Sequence, residues 1–202
     1  TVAADPNITV QPAGGTICTG GSINLSVTAE GGTPELTYQW NDSNGPIVGA
    51  NSSTYSTTVA GNYYCVVSAS GSGCNNATSG IATVTVVPDP TAPSLNTATP
   101  ASGSTVCVGA TVSATFTDGS DGVDCFDLYQ YTTDGGLSWA DYTPGADIIA
   151  STPGTNAIQI QTLRLCFGEG CDGPGVSPAT KAQWTVVADP TAPSLNTATP
   201  AS

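Results

Sequence analysis

The stretch Ser22-Ile23-Asn24-Leu25-Ser26-Val27-Thr28-Ala29 alternates polar and apolar residues one by one. Successive side chains of a β-strand point to opposite faces, so the apolar residues of this stretch share one face and the polar residues share the other. Gly31-Gly32-Thr33-Pro34 follows directly and contains the residue types that end a strand. The pattern predicts a half-buried strand that packs its apolar face on a core.

The remaining sequence has the same character. Val, Ile, Thr and Tyr favour strands and Gly, Pro, Asn and Asp favour turns, and the 202 residues include 24 Gly and 15 Pro. No stretch repeats apolar residues at helical spacing over several turns. We therefore predict an all-β fold. Further strands are expected at residues 7–11, 36–41, 53–57, 62–70, 81–87, 111–117, 126–132, 148–150, 157–167 and 182–187.

A verbatim repeat divides the chain. The segment Asp89–Ser102 returns without change at Asp189–Ser202, 100 residues later, and this period is close to the length of one β-sandwich domain. Three prolines in residues 87–93 fix φ and restrict the residues before them, which predicts an extended, stiff linker. The predicted parts are a first domain at 1–88, a second domain at 89–188 and the start of a further repeat at 189–202.

The charge of the chain excludes two classes of partner. Only two Lys or Arg residues stand against 15 Asp or Glu residues, for a net charge of −13. Nucleic-acid binding requires cations that neutralise phosphates, and an anionic membrane surface would repel this chain. No run of apolar residues is long enough to cross a bilayer. We predict no nucleic-acid partner and no membrane insertion in this stretch.

Seven cysteines and no histidine restrict the chemistry. No CxxC pair occurs, which argues against a zinc site, and disulfides of a secreted protein are the better interpretation. Without histidine neither a Ser-His nor a Cys-His dyad can form. We therefore predict an extracellular or cell-surface protein that is not an enzyme and needs no cofactor.

Two further stretches resemble the immunoglobulin-like core. Leu36-Thr37-Tyr38-Gln39-Trp40 places Trp40 where the third strand has its buried tryptophan, and Ala60-Gly61-Asn62-Tyr63-Tyr64-Cys65 places Tyr63 at the tyrosine corner. Val27 stands thirteen residues before Trp40, where an antibody-type domain has its first cysteine, so the usual disulfide between the sheets cannot form. The resemblance assigns Trp40, Tyr63 and Val27 to the core.

The combination resembles the immunoglobulin-like repeats of very large secreted surface adhesins of gliding bacteria, which are exported by the type IX route. The second half is similar to a repeat of the same proteins at Thr105–Gly109, Tyr129–Gly136 and Gln183–Val187. The resemblance implies two tandem immunoglobulin-like β-sandwich domains joined by the proline-rich linker, and a surface adhesin or appendage. It does not imply a ligand.

This fold has consequences for the cysteines. The loop before the third strand, with Cys125, and the loop after the sixth, with Cys171, lie at one end of such a sandwich, so we predict a Cys125–Cys171 disulfide. Cys18 and Cys74 lie at opposite ends of the first sandwich, beyond the Cα limit of roughly 7 Å for a disulfide. Either the predicted strand positions are wrong, or these two cysteines pair elsewhere, with another domain or another chain. The odd total leaves at least one cysteine free or paired outside this stretch. The other candidates are Cys65, Cys107 and Cys166.

A cluster of carboxylates in the second half has two interpretations. Calcium takes oxygen ligands from flexible loops, although no Glu closes this loop as in an EF-hand. The alternative is a solvated acidic turn. The residues concerned are Asp118, Asp121, Asp124 and Asp127.

A group of aromatic residues follows this cluster. Aromatic side chains commonly fill sandwich interiors, which favours core or sheet packing. The alternative is an exposed platform for stacking sugars, because Asp134 and Asp141 are close to Trp139 in sequence. The candidates for sugar contact are Tyr129, Tyr131, Trp139 and Tyr142.

Together these features predict a structural segment of a long extracellular fibre or cell-surface adhesin stalk, stabilised by disulfides. The predicted partners are neighbouring repeats of the same chain and other copies in a fibre. The alternative is a carbohydrate-binding or adhesive module that contacts surface glycans through the aromatic residues of the second domain.

Overall fold

The computed structural model describes residues 4–32, 35–70, 74–171 and 178–190, and all regular elements within these ranges are β-strands. The described part of the chain contains no helix that could span a lipid bilayer. Contacts divide the chain into two compact units. Unit 1 comprises Thr1–Thr91, Gly119–Phe126 and Arg164–Val176, and unit 2 comprises Ala92–Asp118, Asp127–Leu163 and Ser177–Ser202. The domain boundaries expected from the sequence stay a prediction, because two short segments of the second half group with unit 1.

Unit 1 contains a sandwich of ten strands. They are β1 (Asn7–Val10), β2 (Gly15–Cys18), β3 (Ile23–Ser26), β4 (Thr28–Glu30), β5 (Leu36–Asp42), β6 (Gly45–Pro46), β7 (Thr54–Thr57), β8 (Gly61–Ala69), β9 (Ala77–Thr78) and β10 (Ala82–Val87). One sheet has the order β2-β10-β8-β5-β6, with β9 on β8, and the pairs β1-β4 and β3-β7 form the opposing layer. The first and last strands of the large sheet, β2 and β10, pair in parallel.

The alternating stretch that begins at Ser22 becomes β3 and β4, interrupted at Val27. Leu25 and Val27 are buried and Ser26 and Thr28 are exposed, as the pattern predicts. The buried residues pack on the core of the sandwich, whose largest fully buried side chain is Trp40. Apolar burial is the main favourable term in folding, so this alternation supplies one wall of the core.

Unit 2 is built on eight further strands. They are β11 (Ser94–Thr99), β12 (Thr105–Cys107), β13 (Thr111–Thr117), β14 (Phe126–Thr132), β15 (Ala140–Asp141), β16 (Ile148–Ile149), β17 (Gly154–Leu165) and β18 (Ala179–Val187). The sheets have the orders β12-β18-β17-β14-β15 and β11-β13-β16. As in unit 1, the short strand β12 pairs in parallel with the last strand, β18.

The strand orders identify both halves as immunoglobulin-like β-sandwiches. In each half the last three long strands of the larger sheet follow the arrangement of the G, F and C strands of that fold. Tyr63 lies two residues before Cys65 at the start of β8, and its hydroxyl donates a hydrogen bond to the carbonyl of Val59 at 2.8 Å. This contact is the tyrosine corner that the resemblance implies.

Candidate functional site

The feature of the molecule that stands out is a crosslinked corner in unit 1. We use this name for residues 17–21, 87–91, 119–126 and 164–171, which carry both disulfides of the described chain. Cys18 at the end of β2 is bonded to Cys171, with Cα atoms 5.0 Å apart. Cys125 before β14 is bonded to Cys166 after β17, with Cα atoms 4.1 Å apart.

The predicted Cys125–Cys171 disulfide is therefore wrong. We expected Cys166 inside a strand, but β17 ends at Leu165. β14 and β17 are neighbours in one sheet, and this ending brings Cys166 to the same end as Cys125. Cys171 is then left to pair with Cys18, a residue of the first predicted domain. Of the alternatives left open for Cys18, the structure selects a bond to the second half of the same chain.

Close backbone contact surrounds the Cys18–Cys171 bond. The amide of Cys18 donates to the carbonyl of Glu169 at 2.9 Å. A Cβ atom on Gly21 would lie 2.5 Å from that same carbonyl oxygen, and a Cβ on Gly170 would overlap the backbone of Gly21. Only glycine permits this approach. The crosslink thus depends on these two glycines, because only without side chains can the two turns approach closely enough for the disulfide to form.

The segment after β10 is held in the same corner. Thr91 and Ser120 exchange both backbone hydrogen bonds, at 2.9 and 3.1 Å, and the amide of Gly122 donates to the carbonyl of Pro88 at 3.1 Å. Pro90 is fully buried. A Cβ on Gly122 would overlap the sulfur of Cys125, so this turn packs directly on the second disulfide. The predicted linker is therefore hydrogen-bonded along its length: Pro88 and Thr91 bond to the turn at 120–122, and the carbonyl of Pro93 accepts a hydrogen bond from the hydroxyl of Thr162 at 3.0 Å.

The acidic cluster is divided between the two units, with Asp121 and Asp124 in the corner and Asp118 and Asp127 in unit 2. Asp118 accepts a hydrogen bond from the hydroxyl of Tyr129 at 3.1 Å, and the backbone carbonyl of Asp121 accepts one from Nε of Arg164 at 3.0 Å. Asp124 is exposed, and Asp127 is half-buried. No group of three or more carboxylate, thiol or imidazole side chains that could hold a metal ion occurs among the described residues.

The predicted sugar-stacking residues are largely used in packing. Tyr142 is 6% exposed, and its hydroxyl contacts the backbone amide and carbonyl of Ala114 at 2.9 and 3.0 Å. Tyr129 and Tyr131 are half-buried and pack on the core of unit 2, and Trp139 is half-buried. The structure therefore does not join these side chains into an exposed aromatic platform.

Asp134, which the sugar hypothesis invoked, caps its own turn. It accepts hydrogen bonds from the hydroxyls of Ser138 at 2.5 Å and Thr132 at 2.6 Å, and from the backbone amides of Leu137 and Ser138. These bonds, with the Ser138 hydroxyl first, hold the pKa of Asp134 far below its usual range. Both carboxylate oxygens are engaged, so the residue stabilises a tight turn rather than presenting an open acceptor.

Three cysteines carry free thiols, and they differ in exposure. Cys65 is buried, and burial raises the pKa of its thiol. A thiol with a raised pKa holds little of the reactive thiolate, so Cys65 behaves as a small core residue. Cys74 is half-buried and Cys107 is exposed.

Sequence reasoning missed several residues of the corner. Gly21, Gly122 and Gly170 are glycines among 24 in the chain, and nothing in their spacing marks them. One signal was available. Both halves of the Cys18–Cys171 bond lie in cysteine- and glycine-containing turns, Cys18-Thr19-Gly20-Gly21 and Gly168-Glu169-Gly170-Cys171, which is the composition that close turn packing requires.

No protein-family model matches the chain, and no curated protein sequence matches it. Among solved structures, immunoglobulin domains 1–4 of Sidekick-1 are 15% identical at a TM-score of 0.49, covering 92% of this chain and 49% of that one. Titin domains I67–I69 in an E-to-A variant are 13% identical at 0.49, covering 93% and 67%. The Ig1-2 module of the Drosophila receptor phosphatase DLAR is 14% identical at 0.34, covering 92% and 99%. The chain thus spans about half of the Sidekick-1 structure. At TM-scores below 0.5 the fold assignment rests on the strand orders and cores described above.

Proposed function

We propose that this chain is a load-bearing segment of a long extracellular fibre or cell-surface adhesin stalk. The observation that carries the proposal is the Cys18–Cys171 bond, which spans 153 residues of sequence. The unchanged return of Asp89–Ser102 at Asp189–Ser202 supports a tandem array, since copied modules supply reach. The partners of this segment are then neighbouring repeats and other copies in a fibre.

The mechanism follows from the covalent path through the chain. A pull on the two ends passes from Cys18 through the disulfide to Cys171, so residues 19–170 carry no tension. This bypassed stretch contains every strand from β3 to β17. The bond therefore shields most of both sandwiches from extension at any force that does not break a covalent bond.

The same bond stabilises the fold at rest. In the chain-entropy model a crosslink across 153 residues stabilises by about 5 kcal/mol, and the Cys125–Cys166 bond across 41 residues by about 4 kcal/mol. These magnitudes are comparable to the whole unfolding free energy of a small domain. Disulfides persist in oxidising compartments, which supports an extracellular or cell-surface location. The resemblance to secreted adhesins of gliding bacteria supports the same location.

The alternative function, a carbohydrate-binding module, has no specific observation in its favour. Three of its four aromatic candidates, Tyr129, Tyr131 and Tyr142, lie in or pack on the core of unit 2, and the carboxylate of Asp134 accepts hydrogen bonds from its own turn. A glycan array with the whole chain tests this alternative directly. Reproducible binding that is lost on Trp139→Ala would restore it.

Force spectroscopy of the chain held at both ends tests the load-bearing proposal. Without reductant we expect no unfolding event that releases residues 19–170. Reduction should release roughly 500 Å of contour length, because 153 residues extend by at most about 3.3–3.6 Å each.

A matched pair of variants separates the two crosslinks. Removing Cys125–Cys166 with two Cys→Ser substitutions should leave the non-reduced trace unchanged, because that bond is nested within the bypassed stretch. Removing Cys18–Cys171 in the same way should release all of the stretch except the 41 residues still closed by the inner bond. A non-reduced wild-type chain that extends to its full length would refute the proposal.

A further inference from the structure

The exposed cysteine Cys107 lies at a corner that repeats the corner of Cys18. β2 and β12 are each the short strand that pairs in parallel with the last strand of its sandwich. In this pairing Cys18 is opposite Val87 and Cys107 is opposite Val187. The two cysteines therefore leave their sheets at the same point of the same fold.

The turns that follow the two cysteines are also alike. The amide of Thr19 donates to the carbonyl of Val87 at 3.0 Å, and the amide of Val108 donates to the carbonyl of Val187 at 2.9 Å. The next residue in each turn is a glycine in the left-handed region, where a Cβ is disfavoured. The φ angles are +85° at Gly20 and +89° at Gly109.

A backbone hydrogen bond closes each turn onto its cysteine. The carbonyl of Cys18 accepts from Gly21 at 3.0 Å, and the carbonyl of Cys107 accepts from Ala110 at 3.1 Å. Sequence similarity between the two turns is limited to the cysteine and the glycine, so the match in geometry is an independent observation. Cys107 therefore has the same backbone surroundings in the sandwich of unit 2 as Cys18 has in the sandwich of unit 1.

The two cysteines differ in what covers them. Cys18 is fully buried and bonded to Cys171, whereas Cys107 is exposed and carries a free thiol. The residues that cover Cys18 come from further along the chain, in the segment 164–171. An equivalent segment for Cys107 would have to come from beyond the second sandwich.

The sequence after the two last strands is also repeated. Thr85-Val86-Val87 and Thr185-Val186-Val187 are identical, and after one differing residue Asp89–Ser102 is identical to Asp189–Ser202. In the first copy the residues up to Thr91 are hydrogen-bonded at the crosslinked corner. The strand paired with Cys107, β18, is therefore followed in sequence by a copy of the segment that follows β10, the strand paired with Cys18.

We propose that Cys107 is one half of a second crosslink, made to a cysteine that occupies the position of Cys171 in a following immunoglobulin-like module. The inference rests on the proposed tandem array. The two thiols lose two protons and two electrons to the disulfide of an extracytoplasmic oxidoreductase, which is reduced to a dithiol, and one S–S bond forms. Each module is then bonded to the next, and the crosslinks overlap along the chain.

One difference between the corners must be accommodated. Ala110 has a Cβ where Gly21 has none, and at Gly21 that atom would lie 2.5 Å from the carbonyl oxygen of Glu169. The partner turn must therefore stand farther away at Cys107. The Cα separation of the existing bond is 5.0 Å, and disulfides span up to about 6.8 Å, so the bond tolerates this shift.

The test extends the whole chain by one module. Because Asp189–Ser202 repeats Asp89–Ser102, a copy of residues 103–188 attached after Ser202 continues the sequence in register. The substitution Glu169→Asp in the attached copy alone gives its peptides a distinct mass. The readouts are the number of free thiols in denaturant without reductant and the disulfide map of the non-reduced monomer.

The number of free thiols distinguishes an extended chain with the proposed bond from one without it. The original chain has three free thiols, Cys65, Cys74 and Cys107. We expect the extended chain to keep three, because Cys107 is consumed and the copy contributes its own equivalent of Cys107. Without the new bond the count would be five, since the copy's equivalent of Cys171 would also be free.

Two variants of the extended chain serve as controls. Cys107→Ser should raise the count from three to four by freeing the partner in the copy. Cys74→Ser should lower it to two and leave the map unchanged. A folded extended chain with five free thiols, or a map that links Cys107 to any other residue, would overturn the inference.

Electron microscopy of the same chain tests the proposed function separately from the crosslink. Separate beads together with a free Cys107 would refute the crosslink alone. One fused globule would refute the proposed stalk.

Discussion

In the sandwich of unit 1 the fully buried tryptophan is Trp40 on β5, whereas in the sandwich of unit 2 it is Trp184 on β18. Each indole donates its N–H to a backbone carbonyl, Trp40 to Ser52 at 2.9 Å and Trp184 to Pro100 at 2.8 Å. The strand order is shared but the strand that carries the large core residue is not. In both sandwiches a buried, hydrogen-bonded tryptophan fills the centre, but a different strand supplies it.

The tyrosines that fasten the loops differ in the same way. Tyr63 of unit 1 donates to Val59 and lies 3.1 Å from the hydroxyl of Thr57. Tyr142 of unit 2 is not a corner residue of the sixth strand. Its hydroxyl contacts the backbone of Ala114 on β13 and the carbonyl of Ala146 at 2.9 Å. The tyrosine hydroxyl of unit 2 thus hydrogen-bonds to the backbone of a strand, whereas the tyrosine hydroxyl of unit 1 hydrogen-bonds to the backbone of a turn.

The largest effects are expected from the two tryptophans. Trp40→Ala and Trp184→Ala should each lower the unfolding free energy of their own unit by about 3–5 kcal/mol, since each leaves a cavity. Hydrogen exchange during denaturation measures the two units separately. Trp139→Ala is the matched control, because this tryptophan is only half-buried and should cost clearly less. An equal loss at Trp139 would contradict the roles assigned here.

Removal of the two tyrosine hydroxyls should give smaller and unequal effects. Tyr142→Phe leaves the buried amide of Ala114 without its hydroxyl acceptor, and we expect a cost of about 2–3 kcal/mol. Tyr63→Phe should cost about 1 kcal/mol, because the hydroxyl of Thr57 lies 3.5 Å from the same Val59 carbonyl and replaces part of the bond. Equilibrium denaturation of the two variants measures both values. The reverse order would show that the corner of unit 1 is the stronger fastening.

The smallest effects concern two exposed carboxylates, one in each unit. Hydrogen bonds lower the pKa of both carboxyl groups. The largest contribution comes from the hydroxyl of Ser138 at Asp134 and from the side-chain amide of Asn75 at Asp5. A carboxyl whose pKa is lower in the folded state stabilises the fold above its usual value of 3.8, and this contribution is lost as the pH falls below that value.

We therefore expect acid to loosen the turn at Asp134 and the contact at Asp5 only below about pH 4. The effect should be larger at Asp134, which accepts more hydrogen bonds. Exchange of the amides of Leu137 and Ser138, followed by NMR as the pH falls, measures the first. In Asp134→Asn these amides should be less protected at neutral pH, relative to their intrinsic exchange rates, and this protection should not change further in acid. If the protection of these amides in the wild-type chain, measured relative to their intrinsic exchange rates, does not fall in acid, the role of the Asp134 carboxylate in this turn is contradicted.

The sequence predicted the bounds of some strands closely and those of others poorly. The longest strand, β17, was expected at 157–167 and lies at 154–165, and the six-residue strand β11 was not predicted. Residues 111–117 and 126–132 were expected as strands and are β13 and β14 with the same bounds. The expected strand at 81–87 is β10 with one residue fewer. The short strands β2 and β12 were missed, because a parallel edge strand of three or four residues leaves no readable alternation.

The candidate site was predicted in its composition and not in its connections. The cysteines and the acidic loop were recognised, but the pairing of Cys125 was wrong, and the glycines that surround Cys18 were not noticed. A disulfide requires two Cα atoms within roughly 7 Å, and the partners Cys18 and Cys171 are 153 residues apart in sequence. Distances of this kind follow from the assembled fold and from no local pattern.

The amino-acid sequence by itself determined local patterns and properties of the whole chain: the alternation that builds the strands, the net charge of −13, the absence of histidine and the verbatim repeat. Side-chain direction in a strand and net charge need no tertiary information. The tertiary structure decided which cysteines bond, why Gly21 and Gly170 are glycines, and that three tyrosines of unit 2 lie in or pack on its core. These depend on how distant segments pack against each other, which only the complete fold defines.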